Sequence, residues 1–166
     1  MTAHLELLKN KTPLIDLRSP IEFTKGTFPQ SVNLPILNND ERAEVGKTYK
    51  HHGNAAAVKL GHRLISGDHK EIRVSGWKKF IDKNPSTWMY CMRGGQRSNI
   101  AQDWLDDIGV KVPIVNGGYK ALRKTSLETL DSVDDDNKRW IILGGRTGTG
   151  KTVILNQLES SIDLEH

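Results

Sequence analysis

The chain has one cysteine, Cys91, in 166 residues. A single thiol excludes an internal disulfide, and without a Cys-x-x-Cys neighbour it supplies no zinc ligand pair; core packing or thiol chemistry are the uses left. No apolar run approaches the length that crosses a bilayer, and the first residues lack a basic-then-apolar leader. Neither a membrane span nor export is therefore expected, and the cytoplasm is the predicted compartment. Internal repeats and low-complexity tracts are missing as well. Charge is mild: 24 Lys+Arg against 20 Asp+Glu leave a net +4. A pI near 9.2 permits an anionic partner such as RNA without requiring one. With 36% hydrophobic and 27% charged residues, the chain can bury one full core and a fragment of a second.

Short apolar runs alternate with amphipathic stretches, the pattern of strands that cross over through helices into a mostly parallel sheet. "PLIDLR" (Pro13 to Arg18) reads as a first strand. Ser19-Pro20-Ile21-Glu22 follows as a capping box with proline at the first helical position, and Gly26 ends that helix. "SVNLPI" (Ser31 to Ile36) predicts a second strand; Asn39 to about Lys83 reads as helix, interrupted at Gly53, Gly67 and Gly76. "TWMYC" (Thr87 to Cys91) predicts a buried strand, Gln96 to Gly109 a helix, "VPIVNGG" (Val112 to Gly118) a strand and Tyr119 to Leu130 a helix. The expected organisation is a domain over 1–127, an acidic linker over 128–138, and the start of another domain over 139–166, opened by a strand in "RWIILGG".

Cys91 falls where a central strand ends and a helix begins, so Met92, Arg93, Gly94, Gly95, Gln96 and Arg97 must curl tightly between them. The two glycines allow the curl and leave no side chain in a ligand's way. Successive backbone N–H groups then face inward above a helix N-terminus and form an anion cradle. Arg93 and Arg97 add positive charge, and the same field favours a thiolate at Cys91.

A second motif, "GGRTGTGKT", contains Gly145-Arg146-Thr147-Gly148-Thr149-Gly150-Lys151-Thr152 between an apolar run and a helical pattern. In a phosphate-binding loop the backbone amides cradle phosphates, the lysine reaches their terminal charges and the Thr152 hydroxyl can ligate magnesium. Only fourteen residues follow Thr152. The motif is thus expected to sit in a truncated nucleotide-binding domain, with "LEH" vector-derived and nucleotide binding weak in the isolated chain.

"DLRSPIEFTKGTFPQSVNLP", "CMRGGQRS" and "IVNGGYKALR" resemble the successive landmarks of a rhodanese-like domain. With "NLPILNNDERAEVGKTYKHHGNAAAVKLGH" and the phosphate-loop motif downstream, the whole is similar to the N-terminal part of the bacterial tRNA 2-selenouridine synthase family. The resemblance implies an α/β rhodanese fold and a Cys91 that serves selenium transfer from selenophosphate to the 2-thiouridine of the tRNA wobble position. It also implies a phosphate-loop domain tied to tRNA binding and to geranyl transfer from geranyl diphosphate. An enzyme that supplies selenophosphate is an implied partner; no metal and no tightly bound cofactor is called for. Asp16 and Arg18, which recur in that family's first strand, are expected to organise the loop through hydrogen bonds.

Five residues separate Cys91 from Arg97, one more than in the common sulfurtransferase loop and equal to that of rhodanese-fold phosphatases. Tyr90, however, stands where those phosphatases usually have histidine. Three functions stay open here: a tRNA-modifying transferase, a cysteine phosphatase or thiosulfate-type sulfurtransferase, and a noncatalytic binding module. His51 and His52 point to different helix faces and are expected to be solvated rather than to share a metal. Trp77, Trp88 and Trp104 are expected in the core, with Trp140 packing at the last strand. Arg42, Lys47, Lys50 and Arg63 form either an RNA-facing surface or a solvated basic face.

Overall fold

The apolar run after Pro13 pairs on both sides, as its continuous hydrophobicity requires. A computed structural model describes residues 3–132, 141–158 and 161–162. In it β1 (Leu14–Asp16) lies between β2 (Ser31–Asn33) and β3 (Trp88–Tyr90), all parallel, with Ile15 opposite Val32 and Met89. The connections are helical: α2 (Pro20–Thr24) links β1 to β2, α3 (Asn39–Leu64) and α4 (Asp68–Lys83) link β2 to β3, and α5 (Gln96–Asp106) follows β3. Helix α1 (Ala3–Lys9), which the sequence reading did not anticipate, precedes the sheet, and α6 (Gly118–Asp131) ends this unit. No residue of α1 is fully buried, which is why its apolar signal is faint.

Side chains alternate across the sheet with the two-residue period of a strand. Ile15, Leu17, Met89 and Cys91 join Trp77 and Trp104 in one core, whereas Leu14 and Tyr90 join Val115 and Leu122 in the other. Helices α3, α4 and α5 supply the first core and α1 and α6 the second. Each fully buried leucine or isoleucine contributes about 2 kcal/mol. Trp77 and Trp104 stack with ring centroids 6.1 Å apart, and the Trp77 indole donates to the Leu34 carbonyl at 2.9 Å; Trp88 is half-buried beside the second core.

Several expected boundaries move. The strand expected over Val112 to Gly118 is reduced to one parallel bridge, Met89 with Ile114. Pro113 accepts from the Met89 N–H but has no N–H to return, and Gly117–Gly118 turns the chain away, so the ladder cannot extend. Gly53 does interrupt α3, with φ 79° and ψ −176° dividing it into two arms, and Gly67 separates α3 from α4. Gly76 lies inside α4 and interrupts nothing. Helix α6 reaches Asp131, so the first residues of the expected 128–138 linker belong to it.

In the second unit, residues 141–146 carry no strand pairing among the described residues, although α7 (Lys151–Leu155) follows as expected. A strand exists only as part of a ladder, and Ile141 and Ile142 stand 81% and 94% exposed. Arg139, Trp140, residues 133–138 of the linker and the terminal "LEH" lie outside the described residues.

Candidate active site

Cys91 directly follows β3 and is 3% exposed, yet it lines the floor of a groove of about 1060 Å³. The groove runs from the loop along both arms of α3, lined by Met92, Arg93, Gly95, Gln96 and Arg97 at one end and by residues from Arg42 to His62 beyond. Apolar walls of Ile36, Leu37, Ile100 and Trp104 separate a basic rim from the sulfur.

The loop is curled by what holds its carbonyls. The N–H groups of Tyr119 and Lys120, at the start of α6, donate to the carbonyls of Cys91 and Met92 at 2.9 and 3.1 Å. Those bonds fix the start of the loop against α6. Among the described residues, none of the six N–H groups from Met92 to Arg97 donates to a backbone carbonyl or a side-chain oxygen. Two of these donors, the Arg93 and Gly95 amides, face the Cys91 sulfur, and the others remain open at the groove and the start of α5, where an anion would meet them. Ser98 and Asn99 donate to the Gly95 carbonyl at 2.9 and 3.1 Å, which starts α5 immediately beneath.

Two glycines, Gly94 and Gly118, make the curl possible. Gly94 has φ +60°, and a Cβ there would lie 2.4 Å from the Val115 carbonyl oxygen. Gly118, φ +59°, would place its own Cβ 2.3 Å from the Cys91 carbonyl oxygen and 2.4 Å from the Gly94 nitrogen. Main chain therefore packs directly on main chain, and only glycine fits on either side.

Burial pushes the Cys91 thiol up, but the Ser98 hydroxyl, the Arg93 and Gly95 amides and the Arg97 charge together outweigh it, leaving the thiol below its ordinary value. Ser98 is fully buried and its hydroxyl makes no hydrogen bond in the resting geometry; its donor is therefore free for a thiolate, whose formation it favours. The sequence reading missed Ser98. Its only signal is position: it stands in the first turn of α5, whose inward face must look at the preceding strand end.

Arg97 is already engaged. Its guanidinium donates to Glu22 at 2.8 and 3.3 Å, and the same carboxylate accepts from the Ser19 amide at 3.1 Å in the capping box of α2. Burial raises the Glu22 pKa, yet Arg97 and Ser19 more than offset this and bring it to about 2. Arg97 thus reaches the sulfur as a charge held in place by α2, while Arg93 is exposed and makes no ion pair among the described residues.

Asp16 and Arg18 form a buried pair, with Arg18 Nη2 2.6 Å from Asp16 Oδ2 and a second bond from Nη2 to the Gly26 carbonyl at 2.8 Å. Burial works against the Arg18 charge, but Asp16 more than compensates, and the Arg18 pKa is raised. Neither residue bonds to the 91–97 loop; the connection is indirect, through the Arg18 guanidinium stacked 3.8 Å from the Tyr119 ring. Tyr90 points into the opposite core and donates to Ser31 Oγ at 3.0 Å, so it does not face the cradle.

The phosphate-loop motif lies in the other unit. Lys151 Nζ donates to the Gly145 and Arg146 carbonyls at 2.9 and 3.3 Å, and the Thr149 hydroxyl donates to Arg146 O at 2.8 Å. Gly148 and Gly150 take φ 84° and 81°, and Thr147 and Thr152 are exposed. Among the expected basic residues, Arg42, Lys47 and Lys50 line the groove, whereas Arg63 faces a separate depression with Glu44 and Lys59. His51 and His52 are both exposed, their rings 6.4 Å apart. Among the described residues no three His, Cys, Asp or Glu side chains gather as metal ligands, and no helix is long and apolar enough to cross a membrane.

Comparison with known proteins places these motifs. A family model described as a rhodanese-like domain matches residues 2–125, and one described as the tRNA 2-selenouridine synthase AAA domain matches residues 138–166. The chain is 52% identical over 159 residues to a tRNA 2-selenouridine synthase of Sulfurovum sp., a match covering 96% of this chain and 43% of the relative. It is 49% identical over 160 residues to a synthase of the same name from Photobacterium profundum, again covering 96% and 43%. The chain thus spans less than half the length of these relatives. A crystal structure of the N-terminal domain of an ATP/GTP-binding protein from Clostridium difficile 630 superposes with a TM-score of 0.60 at 29% identity, over 70% of this chain and 90% of that one.

Proposed function

Because the chain belongs to the rhodanese-like domain family, we propose that Cys91 and its cradle are the chalcogen-exchange site of a tRNA 2-selenouridine synthase, of which this chain forms a part. The observation that carries the reading is the tight loop from Met92 to Arg97, whose Arg93 and Gly95 amides face a thiol of lowered pKa, within a chain whose relatives bear that name. The substrate is the wobble 2-thiouridine of tRNA, the selenium donor is selenophosphate from a supplying enzyme, and the compartment is the cytoplasm. Geranyl diphosphate, the prenyl donor, belongs to the phosphate-loop part, where Lys151 and the amides from Gly145 to Thr152 would meet its diphosphate.

In this reading the Cys91 thiolate adds at C2 of the thiouridine and sulfide leaves as HS−. The selenium of selenophosphate then takes the place of the cysteine sulfur at C2, and water cleaves the P–Se bond to release phosphate. Overall a C–S bond is exchanged for C–Se without change of oxidation state at carbon, sulfur or selenium. The cradle amides hold the tetrahedral anion, and Arg93 and Arg97 offset its charge. The test is complementation: cells lacking the full-length gene receive it back with or without Cys91→Ser. Wobble 2-selenouridine measured by mass spectrometry is expected with the wild type and absent with the variant. Selenouridine at wild-type level in the Cys91→Ser cells would refute the assignment.

A further inference from the structure

The first arm of α3, from Asn39 to Gly53, has no buried residue. It meets the first core through the half-buried Val45, and most of its surface is left exposed. Its groove-facing side carries Arg42, Lys47, Tyr49 and Lys50. Arg42 approaches Glu22 only at 3.8 Å, and Lys47 and Lys50 make no ion pair or hydrogen bond among the described residues. Tyr49 stands 59% exposed on the same groove. At 1.5 Å per helical residue, Arg42 to Lys50 spans about 12 Å, which is longer than one tetrahedral anion and suited to successive phosphates of a polyanion. An exposed aromatic between cations is the combination that binds single-stranded nucleic acid: charge follows the backbone and a base stacks on the ring.

We propose that this edge of α3 is the docking surface for the RNA strand whose reacting nucleoside enters the groove toward Cys91. Lys47 and Lys50 contact phosphates, and Tyr49 stacks a neighbouring base. Arg63, on the other side of the helical hairpin, takes no part. The inference rests on the reading of Cys91 as a site that acts on tRNA, and adds where the tRNA lies.

The experiment uses the full-length enzyme and its tRNA, with affinity measured by fluorescence anisotropy between about 50 and 200 mM salt. Lys47→Glu/Lys50→Glu is expected to weaken binding at least tenfold at the low end and to reduce the slope of log K against log salt by about 2. Tyr49→Ala is expected to weaken binding about fivefold or more with the slope unchanged, and Tyr49→Phe to restore it. The Cys91 alkylation rate serves as a control for an intact site and should not change. Wild-type affinity and slope in the lysine variant, with Cys91-dependent selenation still present, would overturn the docking surface alone. Loss of selenation dependence on Cys91 would overturn the functional reading beneath it, whatever the binding data.

Discussion

At Gly94 the backbone has φ +60° and a Cβ would meet the Val115 carbonyl at 2.4 Å, whereas at Gly95 φ is −113° and nothing lies within 4 Å. Gly94→Ala is therefore expected to cost about 3 kcal/mol or more, and Gly95→Ala less than about 1 kcal/mol, although the two residues are neighbours in the sequence. Chemical denaturation of the two variants checks this, and equal losses would show that the interlock is not rigid. Ser98 offers a test of the thiol. Burial raises the Cys91 pKa and Ser98 leads the groups that lower it, so Ser98→Ala should shift the pH midpoint of iodoacetamide alkylation toward the alkaline side. An unmoved midpoint would remove Ser98 from the account. The position of Cys91 at the mouth of a tight basic loop was legible in the chain because a thiol, two glycines and two arginines are adjacent in sequence. Ser98 was not legible, because its role depends on which face of α5 turns toward β3.

The short helix α2 and the longer α5 meet through one carboxylate. Glu22 closes the capping box of the first and holds Arg97 in the first turn of the second. Its pKa falls from 4.5 to about 2 on folding, so between those pH values the unfolded chain binds more protons and stability rises with pH. The contribution is complete above about pH 4.5 and is lost as pH falls toward 2. A series of melting curves over that window should show a steeper decline for the wild type than for Glu22→Gln; parallel curves would mean that the ion pair contributes nothing. The capping box itself was legible, since it needs only four consecutive residues. Its second use was hidden, because Arg97 lies far along the chain and only the parallel sheet brings α2 and α5 side by side. The missing strand at Val112–Gly118 has the same origin: apolar residues announce burial, but Pro113 and the Gly117–Gly118 turn decide that pairing stops after one bridge.

At the scale of the molecule, alternation of short apolar runs and amphipathic stretches was enough to identify parallel strands with helical crossovers and to place Cys91 at a strand end. It did not reveal the groove, which exists because Gly53 folds α3 into two arms and both contribute to its wall. Nor did it show that the buried Asp16–Arg18 pair meets the last helix of the unit only through the ring of Tyr119. The close approach of Gly94 to Gly118 carries a consequence for biosynthesis. The thiol leaves the ribosome well before the start of α6, and until that start docks, nothing turns the carbonyls of Cys91 and Met92 outward. The loop therefore takes its final curl only when the last helix of the unit docks against it, even though the groups that lower the thiol's pKa belong to the loop and to α5.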